Sequence, residues 1–210
     1  MLVLAAAMAL PVGACAAEAD TMSVTGRIVE EGGCNTSIQN GGNVDYGIIP
    51  ASSLDEYDVT QMDLKTLGVS IACASPTYIA LSIHDKWTGD SGDSYLSLGM
   101  AAPYEPIGYY QVRHAEAVTV NGSAGYMVND PAPGPSPGAF WYSAFHVDPW
   151  AEETEWRSFA YVSEGAAVAQ PITSAQFTLH ILATIRELWA LQLSGALPLD
   201  GQFTIEMMYM

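Results

Sequence analysis

The run Phe203-Thr204-Ile205-Glu206-Met207-Met208-Tyr209 decides the fold. Alternation sets Phe203, Ile205, Met207 and Tyr209 on one face and Thr204, Glu206 and Met208 on the other, the period of a β-strand with one apolar side. Tyr209 stands next to the final residue, Met210, so the run is expected to close an all-β domain. A closing strand with an apolar face and a free backbone edge is suited to recruiting a partner strand.

Further upstream the same period recurs in short runs separated by Gly, Pro, Asn and Asp, the punctuation of a β-sandwich. Met22, Val24, Gly26 and Ile28 predict a first strand, Val44, Tyr46 and Ile48 a second, and Val69, Ile71 and Cys73 a third. Ser75-Pro76 predicts a break, after which Ile79, Leu81 and Ile83 complete a hairpin. Residues 95–98, 107–113, 118–120, 140–147 and 157–162 are further strand candidates. Across 176–193, Phe177, Leu179 and Ile181 alternate while Ile181, Ile185, Leu188 and Trp189 also fit a helix, and the expectation is a strand followed by a loop. Asp130-Pro131-Ala132-Pro133-Gly134-Pro135-Ser136-Pro137-Gly138 predicts a surface loop, since its prolines remove donors and fix φ.

With 210 residues and a hydrophobic fraction of 50%, residues 20–210 are expected to form one domain with a buried core. Six Lys and Arg against 23 Asp and Glu give a formal charge of -17, which disfavours nucleic acid and anionic headgroups as partners. Residues 1–19 read as a signal peptide: an apolar stretch interrupted by Pro11, too short to span a membrane, with A-x-A sites at Ala14 and Ala16 or at Ala17 and Ala19. The first basic residue is Arg27, so the usual basic start of such a peptide is expected upstream. Val12-Gly13-Ala14-Cys15 also resembles a lipobox, which would anchor the chain through an acylated Cys15. If Cys15 instead leaves with the signal peptide, Cys34 and Cys73 remain as an even pair in an oxidising compartment.

Val24-Thr25-Gly26-Arg27-Ile28-Val29, Cys34, Asn43-Val44-Asp45-Tyr46-Gly47-Ile48-Ile49-Pro50, Cys73 and the final Leu199–Met210 run together resemble chaperone–usher fimbrial subunits. Gly99, Met100 and Ile107-Gly108-Tyr109-Tyr110 are similar to bacterial pilin-like proteins of unknown function. The resemblance implies an immunoglobulin-like sandwich lacking its last strand, with a Cys34–Cys73 disulfide and Phe203, Ile205, Met207 and Tyr209 as the strand that meets chaperone or subunit. It implies a periplasmic chaperone, an usher and other fimbrial subunits as partners, export to the cell surface, and a structural or adhesive role. Met22, Val24 and Gly26 are the candidate donor strand; few residues precede them after cleavage, which suits a tip subunit or one that accepts a strand without donating one. The alternative from another class is a monomeric secreted or lipid-anchored module that binds carbohydrate or a surface ligand.

Catalysis, cofactors and metals find little support. His84, His114, His146 and His180 are scattered without zinc spacing, and Gly122-Ser123-Ala124-Gly125 lacks the spacing of a nucleophile elbow and predicts a hairpin turn. Asp85, Asp90 and Asp93 cluster without the EF-hand pattern and predict a polar loop. Trp141, Tyr142, Phe145, Trp150 and Trp156 would stack on sugars only if they faced outward, and alternating aromatics more often fill a core.

Overall fold

A computed structural model describes residues 33–86, 95–102, 105–130, 136, 142–143, 156–163 and 166–210. The expected signal peptide with Cys15, the first strand with Met22, Val24 and Gly26, Asp90 and Asp93, His146, and Trp141, Phe145 and Trp150 lie outside the described residues, as does most of the proline-rich loop. The strands are β1 (Cys34–Ile38), β2 (Thr60–Gln61), β3 (Lys65–Thr77), β4 (Ile79–Asp85), β5 (Leu96–Ser97), β6 (Met100–Ala102), β7 (Glu105–Pro106), β8 (Gly108–Val120), β9 (Ser123–Asp130) and β10 (Tyr142–Ser143). They continue with β11 (Trp156–Ser163), β12 (Ala166–Ala169), β13 (Ile172–Ile185) and, after the one-turn helix α1 (Leu188–Leu191), β14 (Phe203–Tyr209).

Antiparallel pairing runs in the order β1-β3-β13-β8-β9-β11-β4-β14. β9 carries the path from one layer to the other: Ser123 to Gly125 pair with β8, and Tyr126 to Asp130 pair with β11. The result is an all-β sandwich whose core is made by the inward rows of both layers. Phe159 of β11 meets Phe177 of β13 across it, ring centroids 6.0 Å apart. β13 shows why pattern becomes strand: Ala175, Phe177, Leu179, Ile181 and Ala183 are buried, while the residues between them are less so.

Cys34 and Cys73 stand directly opposite each other in the β1–β3 register and form a disulfide. Other expectations need correction. β3 runs through Ser75-Pro76, and β3 and β4 do not pair; the chain passes at Tyr78 from one layer to the other, so the expected hairpin is a crossing. Proline is tolerated there because the ladder is already irregular, with a register shift between Ile172 and Ser174 of β13. Val44, Tyr46 and Ile48 lie in no sheet. Gly47 sits at φ +67° with its N–H donated to Asp45 Oδ1 at 2.7 Å, a turn that ends the alternation and leaves Ile48 96% exposed. The candidates at 107–113 and 118–120 belong to a single strand, β8, interrupted by a register shift against Phe177 and Leu179. The loop expected after β13 contains α1.

The hairpin after Val120 turns at Asn121 and Gly122, both at positive φ, and Ser123 to Gly125 already belong to β9. Asn121 Oδ1 accepts the N–H of Thr173 at 2.7 Å, which ties this turn to the start of β13. At Gly108 the demand is close approach instead, because a side chain there would collide with the Thr184 carbonyl oxygen of β13.

His114, on β8, is buried, with Nδ1 3.0 Å from the Ala115 carbonyl oxygen. Burial pushes its pKa below the usual histidine range, the Ala115 contact opposes this, and the charges of Arg157 and His180 add to the lowering.

Two outcomes are expected. Replacing Cys34 and Cys73 together by Ser should cost roughly 4 kcal/mol for a loop of this size, read as a lower urea midpoint. The unfolded chain protonates His114 near the ordinary value of about 6.5 while the folded chain resists, so this residue's share of stability falls as pH drops through that value. His114→Gln should shrink the loss of urea midpoint between neutral and mildly acidic pH, and an unchanged loss would count against this assignment.

Candidate strand-accepting groove

The two ends of the pairing path, β1 and β14, do not pair with each other. Among the described residues β14 is laddered along one edge, to β4, in a register running from Phe203↔Asp85 to Tyr209↔Ile79. Its alternation follows the sequence reading as far as Met207, with Phe203, Ile205 and Met207 half-buried and Thr204 and Glu206 exposed, and departs from it at the end, where Met208 is half-buried and Tyr209 is exposed. The central strand β4 is buried from Ile79 to Ile83 by contrast, so the inward row of β14 is covered incompletely. On the outer face His84 Nε2 lies 2.8 Å from Glu206 Oε2, without the alignment of a hydrogen bond.

At one end the edges touch: the Cys34 N–H donates to the Tyr209 hydroxyl oxygen at 2.9 Å. Away from this latch they diverge around a cavity of about 790 Å³. Its floor includes Leu67 of β3 and Leu179, Ile181 and Ile185 of β13. One wall is Ile38 with segment 41–49, and the other is segment 195–199 with Phe203 and Ile205 of β14. The volume falls in the range of about 300–1,000 Å³ typical of ligand pockets. The lining is largely aliphatic, however, and no group of His, Cys, Asp and Glu able to hold a metal occurs among the described residues. The groove therefore suits apolar side chains better than a polar small molecule.

Segment 43–50 is fastened by a side chain. Tyr46 donates its hydroxyl to the Ile181 carbonyl oxygen at 3.2 Å and accepts the Ala183 N–H at 3.3 Å, just where β3 has run out as a neighbour of β13. Burial pushes the Tyr46 phenol up, and the Lys65 ammonium lies 5.3 Å from its ring centroid. On the opposite wall Asp200 anchors the approach to β14, its N–H donated to the Leu98 carbonyl oxygen at 2.9 Å and its carboxylate paired with Lys86 at 3.0 Å.

Of the residues singled out in the sequence, Phe203 and Ile205 line the groove, Met207 packs on the core, and Tyr209 reaches across to β1. Cys34 holds the edge that Tyr209 meets, whereas the candidate donor residues lie outside the described residues. Sequence reasoning missed Tyr46 as a clamp and Tyr110 and segment 195–199 as lining. The Ile107-Gly108-Tyr109-Tyr110 motif is the only signal near Tyr110, and nothing periodic marks 195–199.

Residues 22–105 match a family described as a protein of unknown function (DUF1120). That stretch holds both cysteines of the disulfide and Tyr46 but not β8, β13 or β14, so the likeness covers one wall of the groove and leaves most of the floor and the other wall outside. No curated protein matches the chain.

Tyr209→Phe should leave the fold intact and remove the acceptor for the Cys34 N–H. Hydrogen exchange at that amide should rise several-fold, with about 1 kcal/mol lost in stability; unchanged exchange would show that the latch is not maintained in solution.

Proposed function

We propose that this chain is a pilin-like subunit of the chaperone–usher type, exported to the cell surface, whose role is structural or adhesive and rests on strand capture rather than catalysis. The observation that carries this reading is the apolar groove beside a strand that, among the described residues, is laddered along one edge. An extended segment from a chaperone or neighbouring subunit would add backbone hydrogen bonds along β14 and lay alternate side chains onto the floor formed by β13. Three or four Val- or Leu-sized side chains placed there would contribute roughly 5–10 kcal/mol before costs. Ordering the segment costs about 2–5 kcal/mol, so the balance favours capture. The disulfide supports the same reading by holding β1 on β3, which keeps the far wall of the groove in place while it is unfilled.

The test is expression of the chain in a periplasm with and without a cognate chaperone, following folded yield and amide protection of 203–210. Chaperone-dependent folding, with these amides protected in the complex, is the expected result. Deleting 203–210 should abolish capture; because that variant also removes part of the core, Ile205→Lys is the companion, and it should weaken capture at least tenfold. A lone, stable monomer already protected across 203–210 would overturn the proposal and favour a self-sufficient binding module.

A further inference from the structure

The free edge of β14 can be read group by group. Met210 donates its N–H to the Tyr78 carbonyl oxygen at 3.1 Å, and the Gln202 carbonyl oxygen accepts the Lys86 N–H at 2.9 Å, so the even-numbered residues turn their backbone groups toward β4. Phe203, Ile205, Met207 and Tyr209 turn theirs the other way, where no described strand pairs with them.

The groove beside that edge is unlike at its two ends. Its lining runs along β14 only as far as Ile205 and along β1 only at Ile38, short of Met207, Tyr209 and Cys34. Near Ile185, at the end of β13, it is rimmed by Ile48 and Leu193, both exposed. Cys34 lies toward the opposite end, because its partner Cys73 adjoins Ala72, which faces Ser174 near the start of β13. A strand inserted between β1 and β14 needs two interstrand steps, about 10 Å. At the Cys34 end one side chain bridges those two edges: Tyr209 reaches from β14 to β1, its hydroxyl oxygen accepting the Cys34 N–H at 2.9 Å. With 50% of its surface exposed, its ring stands in the gap between the edges instead of in the core.

We infer that Tyr209 is a specificity-determining residue of the groove, a register stop that ends the ladder of a captured strand at Met207. The segment that fits enters past Ile48 and Leu193, pairs with Phe203, Ile205 and Met207, and terminates or turns outward before the Tyr209 ring. This rests on the strand-capture reading and fixes the length of ladder it allows.

The probes are peptides with Val at every second position and Ser between, one of about five residues, enough to cover Phe203–Met207, and one of about eleven. Exchange at individual amides of the full chain is followed by NMR. With either peptide the wild type should gain protection at Phe203, Ile205 and Met207 and none at Tyr209. In Tyr209→Ala the longer peptide should extend protection to position 209 and bind roughly three- to tenfold tighter than it binds the wild type, the range for one further hydrogen bond. The shorter peptide should bind both proteins alike, since the groove it occupies is unchanged. Protection of the Tyr209 amide in the wild type, or the same limit in Tyr209→Ala, overturns the inference and leaves strand capture standing. If neither peptide protects Ile205 and Met207, the strand-capture reading fails and takes this inference with it.

Discussion

β13 is hydrogen-bonded along both edges, to β3 and to β8, and the need to cover its inward row organises the rest of the molecule. Over Phe177 the cover is the facing layer, through Phe159. Toward Ile181, Ala183 and Ile185 the cover changes in kind. These side chains are still buried, yet above them lie segments 43–50 and 195–199, held by the Tyr46 hydroxyl and by Asp200 instead of by a ladder. A loop satisfies its backbone locally and fills space unevenly, whereas a strand packs a regular row. The cavity is what that mismatch leaves unfilled.

The edges bear the consequence. β1 has five residues and, among the described residues, a single neighbour, so its ladder alone is a weak tether; the directly opposed Cys34 and Cys73 make the attachment covalent. β14 is longer and is also paired along one edge among the described residues. The Tyr209 hydroxyl spans the gap between these edges at one end without closing it. A disulfide in this position does more than reduce the freedom of the unfolded chain: it fixes the wall against which the opposite edge is measured.

Much of this is legible in the sequence, for physical reasons that differ by element. β13 and β14 can be read because a strand with one buried face must alternate, and theirs does. The pair Cys34 and Cys73 can be read because two cysteines remain once Cys15 is set aside. Alternation at 44–48 misleads because it does not require a ladder: Gly47 and Asp45 build a turn, and Tyr46 reaches β13 by its side chain. Ser75-Pro76 misleads because a proline marks an interruption of pairing without saying whether the chain reverses or crosses between layers. The groove itself is the least legible feature. It depends on Tyr110, Leu179 and segment 195–199 converging from distant parts of the chain, and convergence leaves no local period.

An apolar groove beside an edge that no described strand pairs invites indiscriminate pairing, and the charge distribution bears on how that is restrained. Lys86 and Arg186 are engaged with Asp200 and with Glu105 and Glu187, Arg157 is buried, and Lys65 sits over Tyr46. Few cations are left to offset 23 acidic residues. Two copies of this chain approaching edge to edge therefore repel over roughly the Debye length of about 8 Å at physiological salt, and Glu206 places one of those charges on β14 itself. Such repulsion slows association between like chains without touching the apolar row that a neutral or basic segment would meet. The same acidic composition thus opposes pairing of like chains along this edge.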